Sequence, residues 1–514
     1  MNARSVAMAA VAVLMLAATP VALARPVRDP GPVGPSTTTD RYVIPVADGV
    51  TTTALLSAGD RVPNAFGAGL YAEGGIPDGL GATHAGGRKL TVLENHEWGA
   101  SNGITPRRHG APHAYVSRLT LDRKTLAVLE EGDFINPGVQ YFDYVTRRYV
   151  TRATAPFGDA FLRFCSGTLS DPRQFWNPDT RLGYKGQLYF ANEENGDNGR
   201  SFGVTLAGDA RQLPRLGLFS WENTKPAATT DESTLVIGNE DAGTNANPAG
   251  QLWIYTGIKR GRGDAFARAG LTDGSLQVLA AANPAVKSDI DWRATYGKGV
   301  AGRVTLAGID WRKSGADQNA DAKADGLSLT RIEDGHWDPR HPRDYYFLTT
   351  QGGNGFTSAR DGGGLWRLRL DDVNEPDLGG ELTLVLDGSE TIGLNKPDNM
   401  AIDAHGNLLI QEDPGENDHV ARVLAYKLST GLIATLATFD PDKFAPGAAG
   451  FITNDEESSG VIDTEALLGD GTFLFDAQVH TPHPDLDQVV EYGQLLRLKV
   501  TDWTAAYQNA QPTR

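Results

Sequence analysis

The sequence predicts an all-β protein, specifically a six-bladed β-propeller with long inter-strand insertions and few short helices. Three observations carry that expectation. Helical periodicity is scarce, short β-rich runs recur between turn residues, and a turn-then-strand unit repeats along the chain. The runs are Lys89–Leu93, Gln187–Ala191, Gln251–Tyr255, Tyr345–Thr349, Asn407–Gln411 and Thr472–Ala477, mostly bounded by Gly, Asp, Asn or Pro. The clearest pair of repeats is Ile76–Glu97 against Lys396–Asp413. Both read Pro-Asp-Gly/Asn-apolar, then a Gly-containing turn, then a strand closing on carboxylates. Looser copies span Cys165–Asn195, Asn239–Gly257, Arg331–Gln351 and Ser458–His480. Small antiparallel sheets in series are the mark of a radial repeat. The units recur about every 77 residues, against about 40–50 for ordinary blades, so long insertions are required. Pro441–Ala449 and Phe266–Val278 are the segments closest to helical, and both are interrupted by Gly or Pro.

The N-terminus reads as an export signal. Arg4 supplies the positive end, Val6–Leu16 is an unbroken apolar run, and Ala22-Leu23-Ala24 offers small residues for cleavage after Ala24. An uncleaved anchor is the competing reading, weakened by the short run and by Pro20. No twin-Arg pair is present, which favours the general secretory route. Residues 1–24 are thus the expected signal peptide and 25–39, rich in Pro, Gly and Thr, a disordered lead-in. Residues 40–514 form a single propeller domain. Later segments lack about 18 uninterrupted apolar residues, so the mature protein is expected to be soluble, periplasmic or extracellular.

Of 514 residues, 40% are hydrophobic, enough for a sizeable core. The 64 acidic against 47 basic residues leave a net charge of −17, with no Lys/Arg cluster for phosphate backbones or anionic membranes. The single cysteine excludes an internal disulfide framework.

A propeller brings repeated strand ends to one mouth of its channel. Glu94, Glu97, Glu193, Glu194, Glu240, Asp241, Glu333, Asp334, Asp398, Glu412 and Asp413 are candidates to meet there, although each alone could be a solvated turn residue. Like charges in one mouth need protons or cations, and Ca²⁺, which accepts about 6–8 oxygens, is the natural remedy. Gly315–Gly326 offers Asp317, Asn319, Asp321 and Asp325 in loose imitation of a calcium loop. It lacks the Gly and the terminal Glu of an EF-hand. Cys165 sits beside Ser166-Gly167-Thr168 at a repeat head rather than inside an apolar strand. A thiolate selects a transition metal over calcium, so thiolate with carboxylates suggests a mixed-metal centre.

At these residues the chain resembles the PhoX-type alkaline phosphatases, exported six-bladed propellers with an iron–calcium cofactor. Glu94–Trp98 resembles the family's Asn-His-Glu element, and Cys165 with Glu193-Glu194-Asn195 its Cys-Gly and Glu-Glu-Asn pair. Leu216–Asn223 resembles the segment carrying a metal-binding Glu, here Glu222. Glu240-Asp241 with Trp253–Lys259 is similar to an acidic pair followed by Tyr-x-Gly-x-Lys. Arg331–Asp334 resembles Arg-Pro-Glu-Asp, while Pro397–Met400 and Gln478–His480 match two further elements. The resemblance implies iron (Fe³⁺) held by Cys165, Glu222, Glu333 and either Glu193 or Glu194. It implies Ca²⁺ on other mouth carboxylates, among them Glu97, Asp241 and Asp398. Arg331 would grip phosphate, though it could instead pair with Glu333. His480 would protonate the leaving group or support the ligands. The implied substrate is a small phosphate ester, and a monomer is expected. Departures mark a divergent branch: Ile332 for Pro, Leu218 and Trp221 for Arg and His, Ser166 after Cys165, and Thr481 for Pro. The twin-Arg signal common in the family is also missing. Competing readings are a phytase- or phosphodiesterase-like propeller, a non-catalytic calcium-binding propeller and a lactonase-like hydrolase.

Overall fold

The computed structural model describes residues 31–350, 362–415 and 420–513; the expected signal peptide lies outside them. Six inner strands organise the molecule: β1 (Pro77–His84), β2 (Phe164–Leu169), β3 (Trp221–Pro226), β4 (Ile332–Trp337), β5 (Pro397–Ile402) and β6 (Glu456–Asp463). Each opens an antiparallel meander. The strands paired directly to them are Lys89–His96, Leu188–Glu193, Ser233–Glu240, Asp344–Thr349, Asn407–Glu412 and Thr472–Pro482. Five of the six β-rich runs read from the sequence fall in these second strands; Gln251–Tyr255 instead begins the third strand of its sheet, Leu252–Ile258. Second strands such as Leu188–Glu193 and Asn407–Glu412 are buried throughout, because neighbouring sheets cover both faces. That burial explains their continuous apolar character where a half-exposed strand would alternate.

Neighbouring inner strands pack together in chain order, and β6 returns to β1, so the series closes into a β-propeller. The outer strand of the β6 sheet is Val50–Ser57, paired with Glu491–Val500. This early strand ties the end of the domain to its beginning and covers what would be an open sheet edge. Ala301–Ile309 pairs with both Ser275–Ala281 and Gly380–Leu386, fusing the β3 and β4 meanders into one nine-stranded sheet. Core clusters lie between sheets: Leu409, Val423, Leu436 and Phe439 meet Phe473, Phe475, Leu496 and Leu498. Each such side chain stabilises the fold by about 1.5–3 kcal/mol through burial.

Two sequence expectations are corrected. Residues 31–39 are pinned rather than disordered: the Gly34 amide donates to the Ala54 carbonyl at 2.8 Å, and the Thr37 and Ser57 hydroxyls meet at 3.0 Å. The calcium-loop look-alike is the helix Gly315–Asp325. Four alanines favour helix, Ser314 caps its N-terminus by accepting from the Asp317 amide, and Lys313 pairs with Asp321 at 2.5 Å.

Candidate metal centre

Every inner strand carries a register irregularity near its start: between Pro77 and Leu80, Phe164 and Gly167, Trp221 and Asn223, Ile332 and Gly335, Pro397 and Met400, and Ser459 and Ile462. A bulge bends a strand and re-aims a side chain. Asp78, Cys165, Glu222, Glu333 and Asp398 occupy the first five, and Glu457 lies two residues before the sixth. A second set comes from the ends of second strands, where an amide side chain and an acid stand two residues apart: Asn95 and Glu97, Asn192 and Glu194, Asn239 and Asp241, Gln411 and Asp413. The amides reach the next inner strand. Asn95 donates to the Cys165 carbonyl at 2.6 Å, Asn239 to the Glu333 carbonyl, and Gln411 to the Ser459 carbonyl at 2.9 Å.

The result is a chain of four donor groups, each within 4.8 Å: Asp78–Glu97–Cys165, Cys165–Glu194–Glu222, Glu222–Glu333–Asp398 and Asp398–Asp413–Glu457. Successive groups share a member. Gln478 bridges the two ends, donating to Glu97 at 3.3 Å and Glu457 at 3.4 Å. The inner-strand donors are buried, and Glu97, Glu194 and Asp413 are half-buried above them.

Burial, then mutual repulsion, pushes the Asp78, Glu333 and Asp398 carboxyls well above the ordinary carboxylate range. Burial raises Glu222 to about 8 although the Ser166 hydroxyl donates to it at 2.5 Å, and Glu457 to about 7. The Cys165 thiol is driven up by burial and by Asp78, Glu222, Glu97 and Glu194. Both Asp78 oxygens and Glu333 Oε1 accept no hydrogen bond among the described residues. Such a set is costly as anions and becomes favourable around multivalent cations, which also deprotonate a coordinating thiol.

Cations rim the acids. Arg163, Arg331 and Lys396 each immediately precede an inner strand, and all three have positive φ, 48°, 44° and 48°. Arg163 spans Glu97 and Glu194 at 2.5 and 2.6 Å. Arg331 makes a two-pronged pair with Asp241, both contacts at 2.8 Å, and lies 3.4 Å from Glu333. Left-handed backbone at three bulky cationic residues is strain held by the surrounding structure, a recurring property of functional sites.

Of the residues singled out in the sequence, Cys165, Glu97, Glu194, Glu222, Glu333, Asp398 and Asp413 come together. Asp241 faces the same mouth but is engaged by Arg331. Glu193 does not join them: alternation along the strand turns it into the sheet, where Arg200 clamps it at 2.5 and 2.7 Å. Glu412 is likewise held by Arg422, and Glu240 accepts from the Trp253 indole and the Gln251 amide, both at 2.9 Å. His480 sits 2.9 Å from Glu491 and 3.9 Å from Glu457. Burial disfavours its charged form, but these two carboxylates outweigh that and hold it well above the ordinary range. Asp78, Glu457, Arg163 and Lys396 were missed as site residues. Asp78 had a signal, since Pro77-Asp78-Gly79 repeats Pro397-Asp398-Asn399. The amide–x–acid spacing would have separated Glu194 from Glu193.

A family model described as alkaline phosphatase PhoX matches residues 181–457, more than half of the chain. The chain belongs to the PhoX alkaline phosphatase family. It is a phosphoric ester hydrolase of that family, whose members depend on metal. The solved structure of Pseudomonas fluorescens PhoX in complex with vanadate, a transition state analogue, is similar with a TM-score of 0.62. It is 13% identical and covers 91% of this chain and 100% of that one. TolB from Acinetobacter baumannii is a more remote likeness, with a TM-score of 0.30 at 9% identity, covering 78% of this chain and 63% of that one. No curated protein sequence matches.

Proposed function

We propose that this PhoX-family chain is an exported phosphomonoesterase acting on small phosphate esters at the mouth of a six-bladed propeller. The observation that carries the reading is the chain of four linked donor groups under a rim of arginines. Nine donors, one of them a thiol, suit hard Ca²⁺ together with one softer iron site. Cys165, Glu194, Glu222 and Glu333 would hold Fe³⁺, and Asp78, Glu97, Asp398, Asp413 and Glu457 would hold Ca²⁺. Bound there, the cations supply Lewis acidity toward the phosphoryl oxygens and a lowered pKa for a water nucleophile.

The chain's own residues do the rest. Asn95, Asn239 and Gln411 fix the bulged backbone, so the donors are held in place before substrate arrives. Arg331, oriented by Asp241, offers its guanidinium to equatorial phosphoryl oxygens as their charge grows. Arg163, held by Glu97 and Glu194, does the same beside the Cys165 group. His480, charged and anchored by Glu491, orients Glu457. We further read residues 1–24 as the export signal, 40–514 as one domain, and the protein as a periplasmic or extracellular monomer. PhoX members are exported, which supports this reading. Among the described residues no helix is long and apolar enough to cross a membrane.

The test is hydrolysis of p-nitrophenyl phosphate at alkaline pH before and after chelation, with elemental analysis of the same samples. Turnover that disappears with EGTA and returns with Ca²⁺ is expected. Turnover unchanged in fully chelated protein would refute the metal centre.

A further inference from the structure

A second group of buried acids lies on the other face of the first sheet. Glu94 and His96 share one face of Lys89–His96, whereas Asn95 between them points to the next sheet and holds Cys165. Opposite Glu94 stands Ser117, and diagonal to Ser117 on the following strand is Glu131, within reach of its hydroxyl; Glu73, from the segment leading into β1, closes the group. Ligand atoms of Glu73, Glu94 and His96 lie within 4.8 Å of one another, and the Glu131 carboxylate adjoins that of Glu73.

All three glutamates are at most 1% exposed. Of their six carboxylate oxygens, Glu131 Oε1 lies 3.0 Å from the Ser117 hydroxyl, and the other five accept no hydrogen bond among the described residues. The Tyr115 hydroxyl beside Glu73, also buried, has no hydrogen-bond partner among the described residues. Asp476 of the adjoining sheet adds another negative neighbour to Glu94. The nearest guanidinium, Arg107, is occupied elsewhere, stacked on Tyr115 and Trp98 and 3.6 Å from Asp133.

From this geometry we infer that Glu73, Glu94 and Glu131 bind a structural Ca²⁺ separate from the catalytic mouth. Both nitrogens of His96 are engaged, with the Gly75 carbonyl at 3.1 Å and the Ser117 hydroxyl at 2.8 Å. His96 therefore holds Ser117 in place, and the donor set is all oxygen, the set that selects a hard cation of about 6–8 coordination. The ion clamps the segment before β1 to the sheet it begins, three residues upstream of Ile76 and its positive φ of 50°. It thereby fixes the approach to Asp78.

Crystals of the calcium-loaded protein, measured at a wavelength where calcium scatters anomalously, test this directly. An anomalous peak about 2.3–2.6 Å from oxygens of all three glutamates is expected. Peaks at the mouth with none here would overturn this inference alone. A peak here with none at the mouth would uphold it and refute the catalytic centre proposed above. In solution, Glu73→Gln should bind one Ca²⁺ per chain fewer than the parent, and an unchanged count in the folded variant would overturn the inference. If that variant does not fold, the diffraction experiment decides.

Discussion

The helix Gly315–Asp325 and the propeller mouth are both rich in acids, yet they differ in nearly every physical respect. The helix places its three aspartates within nine residues, where solvent, the Ser314 cap and Lys313 satisfy them. The mouth draws its acids from strands as far apart as Asp78 and Glu457, buries them, and leaves several oxygens without a hydrogen-bond donor. Density along the chain does not make a metal site. Convergence of bulged strand starts gathers the donors that such a site would need, because topology there forces like charges together out of water.

The largest expected contrast is in activity. Removing metal should lower p-nitrophenyl phosphate turnover by about 10³-fold or more, several kcal/mol of lost transition-state charge stabilisation. Substitutions in the helix should leave turnover untouched. Next in size is the sealed pair beside the mouth. Glu193→Gln strands the Arg200 charge in the sheet and should destabilise folding by about 3–5 kcal/mol, measured by denaturant unfolding, while metal content in the folded fraction stays unchanged. A loss of metal without a loss of stability would return Glu193 to the site.

These contrasts show what could be read from the sequence. The propeller class was legible because second strands buried on both faces leave apolar runs such as Asn407–Gln411. Cys165, Glu333 and Asp398 were legible because repeat heads carried them, and Glu222 only because Leu216–Asn223 resembles the family's metal-binding segment. Glu193 and Glu194 could not be separated by type, only by which face each takes, and the signal for that was Asn192 two residues before Glu194. Glu457 was hidden because it precedes its bulge, which displaces it from the repeat position of Asp398. Glu73 lies before the first repeat altogether.

Arg331→Ala should cost about 2–4 kcal/mol in kcat/KM, the scale of one preorganised charge contact. If Arg331 serves only Asp241, the loss will instead appear in thermal stability. The chelated protein should also respond to pH. Folded Glu222 and Glu457 titrate at about 8 and 7, above their unfolded values. Their protonated forms therefore favour the native state fully below about 4.5, the unfolded value, and that stabilisation is lost progressively as pH rises from there through 7 and 8. The melting temperature after EGTA treatment should fall over this range, and Ca²⁺ should remove the fall; a flat profile without metal would mean the acids are not gathered as described. The smallest effect belongs to the helix. Asp325→Asn, at an exposed position, should change stability by no more than about 0.5 kcal/mol and leave the metal content as it was.

Glu222 belongs to two of the four donor groups, one with Cys165 and one with Asp398. Metal content and turnover of folded Glu222→Gln therefore probe the gathered mouth most directly. Loss of bound metal together with turnover at background is the expected result. Full metal content with parental turnover would contradict the account.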